Sequence, residues 1–120
     1  MYFYHYNNGS FLQVQLDEEY RLHGQIIEWY CNGVPQLICN FKHGFINGYV
    51  QKYYPNGQIM LECTMIDNVI DGIKKEWHPN GLLYRESYYA KGLLHGIRRV
   101  WSDSGHLLSK INYQFGRNYE

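Results

Sequence analysis

All twelve glycines of this 120-residue chain fall into three columns spaced 24 residues apart, and that period constrains the fold more than any other feature. The first column holds Gly9, Gly33, Gly57, Gly81 and Gly105; the second holds Gly24, Gly48, Gly72 and Gly96; the third holds Gly44, Gly92 and Gly116, with Asn68 in register. Asn tolerates positive φ better than most residues, so it continues the column rather than breaking it. Asn8, Asn32, Asn56, Asn80 and Ser104 precede the first glycine column, and His5, Trp29, Tyr53, Trp77 and Trp101 stand four residues before it. Such a period is the mark of stacked structural repeats. The chain divides without remainder into five units, 1–24, 25–48, 49–72, 73–96 and 97–120, within a single domain 1–120.

Asn-Gly between two apolar segments predicts a hairpin in every unit, because a tight reversal needs positive φ near its apex. Where Pro55 and Pro79 precede Asn-Gly, a type I turn closed by a left-handed glycine is expected, since proline presets φ at the first central position. A second reversal, exemplified by Lys91 to Gly96, leads to the next unit, so both long glycine columns are read as turns. Each unit then supplies two strands of about six or seven residues, with no room for a helix. The expected fold is all-β: one elongated antiparallel meander of about ten strands, about 45–50 Å along the stack. Trp29, Phe41 and Ile46, then Tyr53, Met65 and Ile70, then Trp77, Tyr89 and Leu94, would stack in ladders as a thin core along one face. A parallel β-helix needs no Asn-Gly reversal in each coil and fits less well.

The 11 basic and 11 acidic residues cancel, so no nucleic-acid partner is expected. The chain shows neither an apolar run of membrane-spanning length nor a signal peptide at its start, which places the expected protein in solution in the cytoplasm. Three cysteines without a disulfide framework read as reduced thiols. Cys39 and Cys63 share a column, about 10 Å apart at two strand spacings, too far to be bridged.

Catalytic chemistry is poorly supported. No C-x-x-C or H-E-x-x-H spacing is present, so no metal or cofactor is expected, and His23 and His95 share a turn column with Asn47 and Asp71 that suits local hydrogen bonding. Glu62 and Glu86 occupy one column, about 10 Å apart, and read as part of a charged face rather than a carboxylate pair. The surviving binding candidates are Lys74, Lys75, Arg98 and Arg99, which occupy two adjacent columns of two adjacent units. Strand alternation puts Lys75 and Arg99 on one face and Lys74 and Arg98 on the other, as two small basic pairs beside Trp77 and Trp101. Either pair would suit an acidic partner or a lipid phosphate.

An aromatic, then Pro-Asn-Gly or Asn-Gly, then an apolar strand, then a G-x-x-x-G connection such as Gly92 to Gly96 resembles the MORN repeat. The likeness is to the variant with spaced Asn-Gly turns found in many bacterial and large-virus proteins, some of them toxin–antitoxin components. It covers all five units and is clearest from about 44 to 106. His5, Tyr20 and Glu120 depart from the pattern, marking the first and last units as atypical caps. The resemblance implies a non-catalytic protein–protein interaction or scaffold module. It also raises peripheral binding of anionic phospholipid, an antitoxin-like role beside a neighbouring toxin, and homodimer formation through an end strand or the apolar face.

Overall fold

The computed structural model describes residues 1–118; Glu120, expected to close the last unit, lies outside them. The described residues form one open, purely antiparallel sheet of twelve strands and no helix. In chain order these are β1 (Tyr2–His5), β2 (Phe11–Val14), β3 (Gly24–Trp29), β4 (Pro35–Lys42), β5 (Phe45–Tyr53), β6 (Ile59–Ile66), β7 (Val69–Trp77), β8 (Leu83–Ala90), β9 (Leu93–Leu94), β10 (Gly96–Trp101), β11 (Leu107–Gln114) and β12 (Arg117–Asn118). Successive strands pair in sequence order; β9 pairs with β8, and β10 continues along the same neighbour after a break at His95. Counting β9 and β10 as one interrupted strand leaves ten, with β12 opening an eleventh. The molecule measures 48 × 32 × 18 Å, elongated as the strand spacing requires. No helix is long and apolar enough to cross a membrane among the described residues.

The two sides of the sheet use different turns. On one side, Gly9, Gly33, Gly57, Gly81 and Gly105 each donate their amide to the carbonyl three residues earlier, at 2.9–3.1 Å. The glycine follows a type I turn in a left-handed conformation, and beside the last four of them a bulge shifts the register, as between Lys52 and Tyr53. Pro55 stands first among the central residues and Asn56 second, where its Oδ1 takes the amide of Gln58 at 2.9 Å. On the other side, His43–Gly44, Asp67–Asn68, Lys91–Gly92 and Phe115–Gly116 have positive φ at both residues, the signature of two-residue type I′ hairpins.

Gly24, Gly48, Gly72 and Gly96 differ from expectation: they lie inside or at the start of strands, not in turns. The connection is completed by the third glycine column, and Gly48 and Gly72 sit where the register slips, between Cys39 and Phe41 and between Cys63 and Met65. With φ of +106° and +89°, these positions form bulges that a side chain would strain. Asn40 Nδ2 and Thr64 Oγ1 take up the carbonyls of Asn47 and Asp71 beside them, at 3.0 and 2.7 Å. Strands therefore run through the bulge and reach eight or nine residues in β4 to β8, longer than the six or seven expected.

The core is also differently composed. Ile26, Cys39, Val50 and Cys63 are buried, with Phe41, Ile46, Met65 and Ile70 packed against them as half-buried neighbours. Trp29, Tyr53, Trp77 and Trp101 make no direct ladder, because members of one column lie two strands apart. Pro35, Ile59, Leu83 and Leu107 stand between them as cross-strand partners. An aromatic run instead joins the first two units, where Phe11 stacks on Trp29 at 5.7 Å and meets His5, tilted, at 5.6 Å.

Candidate functional site

Three rows of side chains cross the sheet at right angles to the strands, and they define what each face can bind. The inner row reads Ile26, Cys39, Val50, Cys63, Lys74 and Ser87, each the register partner of the next. Arg99 pairs with Glu86 and Val100 with Arg85, which places Arg98 beside Ser87 and continues the row to Ile111. Two residues along on the same face runs a second row: Glu28, Leu37, Lys52, Leu61, Glu76, Arg85 and Val100. The opposite face carries Gln51, Glu62, Lys75, Glu86, Arg99 and Lys110.

The four basic candidates are thus divided between faces as alternation dictates, and their surroundings differ. Lys74 Nζ lies 3.1 Å from Glu76 Oε1, and Arg85 grips Glu76 Oε2 through Nε and Nη2 at 3.0 and 2.6 Å. Partial burial would raise the Glu76 carboxyl, but the hydrogen bonds from Arg85 and Lys74 outweigh it and hold the group below its ordinary value. Arg98 forms no ion pair among the described residues, and its Nε is buried without a hydrogen-bond partner. On the other face Lys75 stands between Glu62 and Glu86 in the register, and Arg99 Nη1 lies 3.7 Å from Glu86 Oε1. Trp77 and Trp101 are half-buried and hold the turn-side ends of β7 and β10. Their carbonyls accept hydrogen bonds from Tyr54 and His78.

Those two hydrogen bonds belong to a ladder that spacing alone did not suggest. Tyr30 Oη reaches the carbonyl of Tyr53 at 2.6 Å, Tyr54 Oη that of Trp77 at 2.6 Å, and His78 Nε2 that of Trp101 at 2.9 Å, each 23 residues ahead. Asn32 and Asn80 do the same through Nδ2, to Pro55 and Asp103. The available signal was the column Tyr6, Tyr30, Tyr54, His78 and Ser102, hydrogen-bonding residue types directly after the aromatic.

The remaining chemical candidates resolve into structure. His23 Nδ1 and His95 Nδ1 accept the amides of His43 and Phe115 in the next turn, at 3.1 and 3.3 Å, and Asp71 Oδ1 does the same for Lys91 at 3.1 Å. Each of these amides belongs to a non-glycine residue with positive φ, so the side chain of one unit steadies the strained turn of the next. Asp17, His23 and His43 place their ligating atoms within 4.8 Å of one another. Arg21 Nε already lies 2.9 Å from Asp17 Oδ2, and His43 Nδ1 contacts the same oxygen at 2.8 Å, so a guanidinium takes the place a cation would fill. The His43 hydrogen bond chiefly holds the Asp17 carboxyl far below its ordinary range. Asp17 belongs to the wider first turn, where Tyr20 takes φ +62° in place of a glycine. Burial pushes the Cys39 and Cys63 thiols up, which keeps them protonated; both are free, as is the exposed Cys31. Lys75 between Glu62 and Glu86 separates the two carboxylates by an ion of opposite sign.

A single-layer sheet of hairpins with two alternating turn types and links between successive copies is a tandem-repeat architecture. The comparison with protein families agrees: the MORN repeat variant matches residues 46–67, 70–91 and 94–114, over half of the chain. The chain belongs to the MORN repeat variant family. No curated protein matches it.

Proposed function

We propose that this protein is a non-catalytic interaction module that presents its extended sheet to another protein. The observation that carries this reading is the patch opposite the core. Tyr49, Ile73 and Tyr88 are 64, 37 and 39 % exposed there, beside the row Glu62, Lys75, Glu86 and Arg99. Ile73 and Tyr88 are direct cross-strand partners, and Tyr49, Thr64 and Ile73 line one depression. Exposed aromatics beside charges of both signs suit a protein surface better than a uniformly anionic one. Peripheral lipid binding gains little from Lys75 and Arg99, since Glu62 and Glu86 flank the first and Glu86 partners the second. Protonated Cys39 and Cys63 thiols, hydrogen-bonded His23, His43, His78 and His95, and carboxylates parted by Lys75 leave a catalytic reading without a convergent set of groups.

Affinity capture at native concentration, with wild type and an Ile73→Glu/Tyr88→Glu variant side by side, tests the proposal. A partner retained by wild type and lost by the variant supports it; no retained partner, or equal retention, removes it. Sedimentation with phosphatidylserine vesicles addresses the lipid alternative, and binding abolished in a Lys75→Gln/Arg99→Gln variant would favour it over the protein reading.

A further inference from the structure

We infer that Arg98 is a docking point for a carboxylate side chain of a protein partner, a proposal that rests on the interaction-module reading and names the chemistry of one contact. The repeat itself shows what is missing. In the fourth unit the cation of the inner row, Lys74, has Glu76 two residues along on the same face and is paired with it at 3.1 Å. One period later Arg98 occupies the position of Lys74, but Val100 occupies that of Glu76 and Ser109 that of Arg85. The cation is repeated and its counter-ion is not. Among the described residues no carboxylate pairs with Arg98, and its Nε is buried with no acceptor.

The surroundings select the ligand. Ser87, 2 % exposed, lies beside Arg98 in the row, and Ile111 is its cross-strand partner on the other side. A carboxylate lying over Val100 would have Arg98 two residues before it on the same face and Arg85 on the neighbouring strand. Arg85 already holds Glu76, so such a group would repeat the Lys74–Glu76 half of that arrangement, with Arg98 as its cation. A half-buried guanidinium flanked by Ser87 and Ile111 favours one planar monoanion over a larger, doubly charged group. A phosphate dianion would add charge close to Glu76, and a bilayer would have to reach a contact set among side chains of the inner row.

The test follows the Arg98 Nε–Hε resonance and the Ser87 and Val100 amides by NMR during titration with acetyl-hexaglutamate-amide, with inorganic phosphate and phosphatidylserine vesicles as parallel arms. The peptide is expected to shift these signals saturably, and Arg98→Gln to weaken that binding about tenfold or more. Val100→Glu supplies the missing carboxylate within the chain, so it is expected to weaken peptide binding by a similar factor while raising the melting temperature. Peptide binding unchanged in Val100→Glu, equal shifts at Lys75 and Lys110, or tighter binding of phosphate or vesicles than of peptide would each overturn the inference. A protein partner captured equally by wild type and Val100→Glu would remove the Arg98 contact yet leave the module reading intact, whereas wild type capturing no partner removes the reading itself.

Discussion

The inner row is written twice on equivalent backbone, as Ile26, Cys39, Val50 and Cys63 in one half and as Lys74, Ser87 and Arg98 in the other. In the first half, burial of apolar and thiol groups to between 4 and 8 % exposure is enough to hold the strands together. In the second, long cations flank a small, buried serine and require partners of their own, which Glu76 supplies for Lys74 and nothing within the described chain supplies for Arg98. The same backbone therefore supports a self-contained core at one end and an incomplete polar set at the other. Completeness of the counter-ions, rather than the repeat geometry, separates the two.

Moving a residue from one half to the other should reveal this most sharply. Val50→Lys imports the cation of the fourth unit into a site whose equivalent of Glu76 is Lys52, so the charge is buried without a counter-ion and beside a like charge. A loss of about 3 kcal/mol is expected in urea denaturation; a loss below about 1 kcal/mol would show that the two halves are interchangeable. Glu76→Gln, which leaves Lys74 and Arg85 sharing a neutral amide, should cost about 2 kcal/mol at neutral pH. Because the folded carboxyl sits below its unfolded value of 4.5, its contribution is complete above that value and is lost as pH falls through the lower folded one. The variant should therefore show a flatter acid limb in stability against pH, measured by denaturation at a series of pH values.

The backbone shared by the halves predicts equality where the side chains predict contrast. Gly48→Ala and Gly72→Ala force a Cβ into the same left-handed bulge, and each should cost about 1–2 kcal/mol, to a similar extent. Clearly unequal losses would place the difference between the halves in the main chain. Tyr54→Phe removes the hydroxyl that reaches across the seam to the carbonyl of Trp77, for about 1 kcal/mol. If it instead split the unfolding transition into two steps, the halves would be coupled chiefly through that link. Lys74→Val is the mildest change. Arg85 still holds Glu76, so stability should stay within about 1 kcal/mol of wild type, in contrast to the reverse exchange at position 50.

Much of this was legible in the residues, since the period gives the number of units and Asn-Gly gives the reversal in each. The second glycine column was misread because positive φ serves a bulge as well as a turn, and one residue cannot say which. The conformation becomes clear only with the partner strand, where Asn47, Gly48 and Tyr49 occupy the stretch opposite Asn40. The aromatic column was overread for a related reason: equal spacing along the chain places side chains on one line but two strands apart, and the intervening residues decide what touches. Lys74 and Arg98 could be assigned to one face by alternation, yet their difference depended on Glu76 and Val100, which become informative only once the register puts them on that face. The hydrogen bonds of Tyr30 and Tyr54 to the following unit had a columnar signal, but nothing in the spacing said that hydroxyls would reach a carbonyl one copy away.

The links between copies also govern how such a chain can change length. Tyr54 finds its acceptor 23 residues ahead, the amide of Gly92 finds the carbonyl of Ile70 22 residues behind, and Lys91 finds Asp71 20 residues behind. Adding or deleting one whole unit closes every link on an equivalent atom of the next copy, while a shift of half a unit would set one kind of turn against the other and leave the donors facing the wrong strand. Growth and loss by whole copies is therefore the inexpensive route of variation for this architecture. Because the inner row changes character from copy to copy, each such event would also redraw where charge is displayed along the sheet.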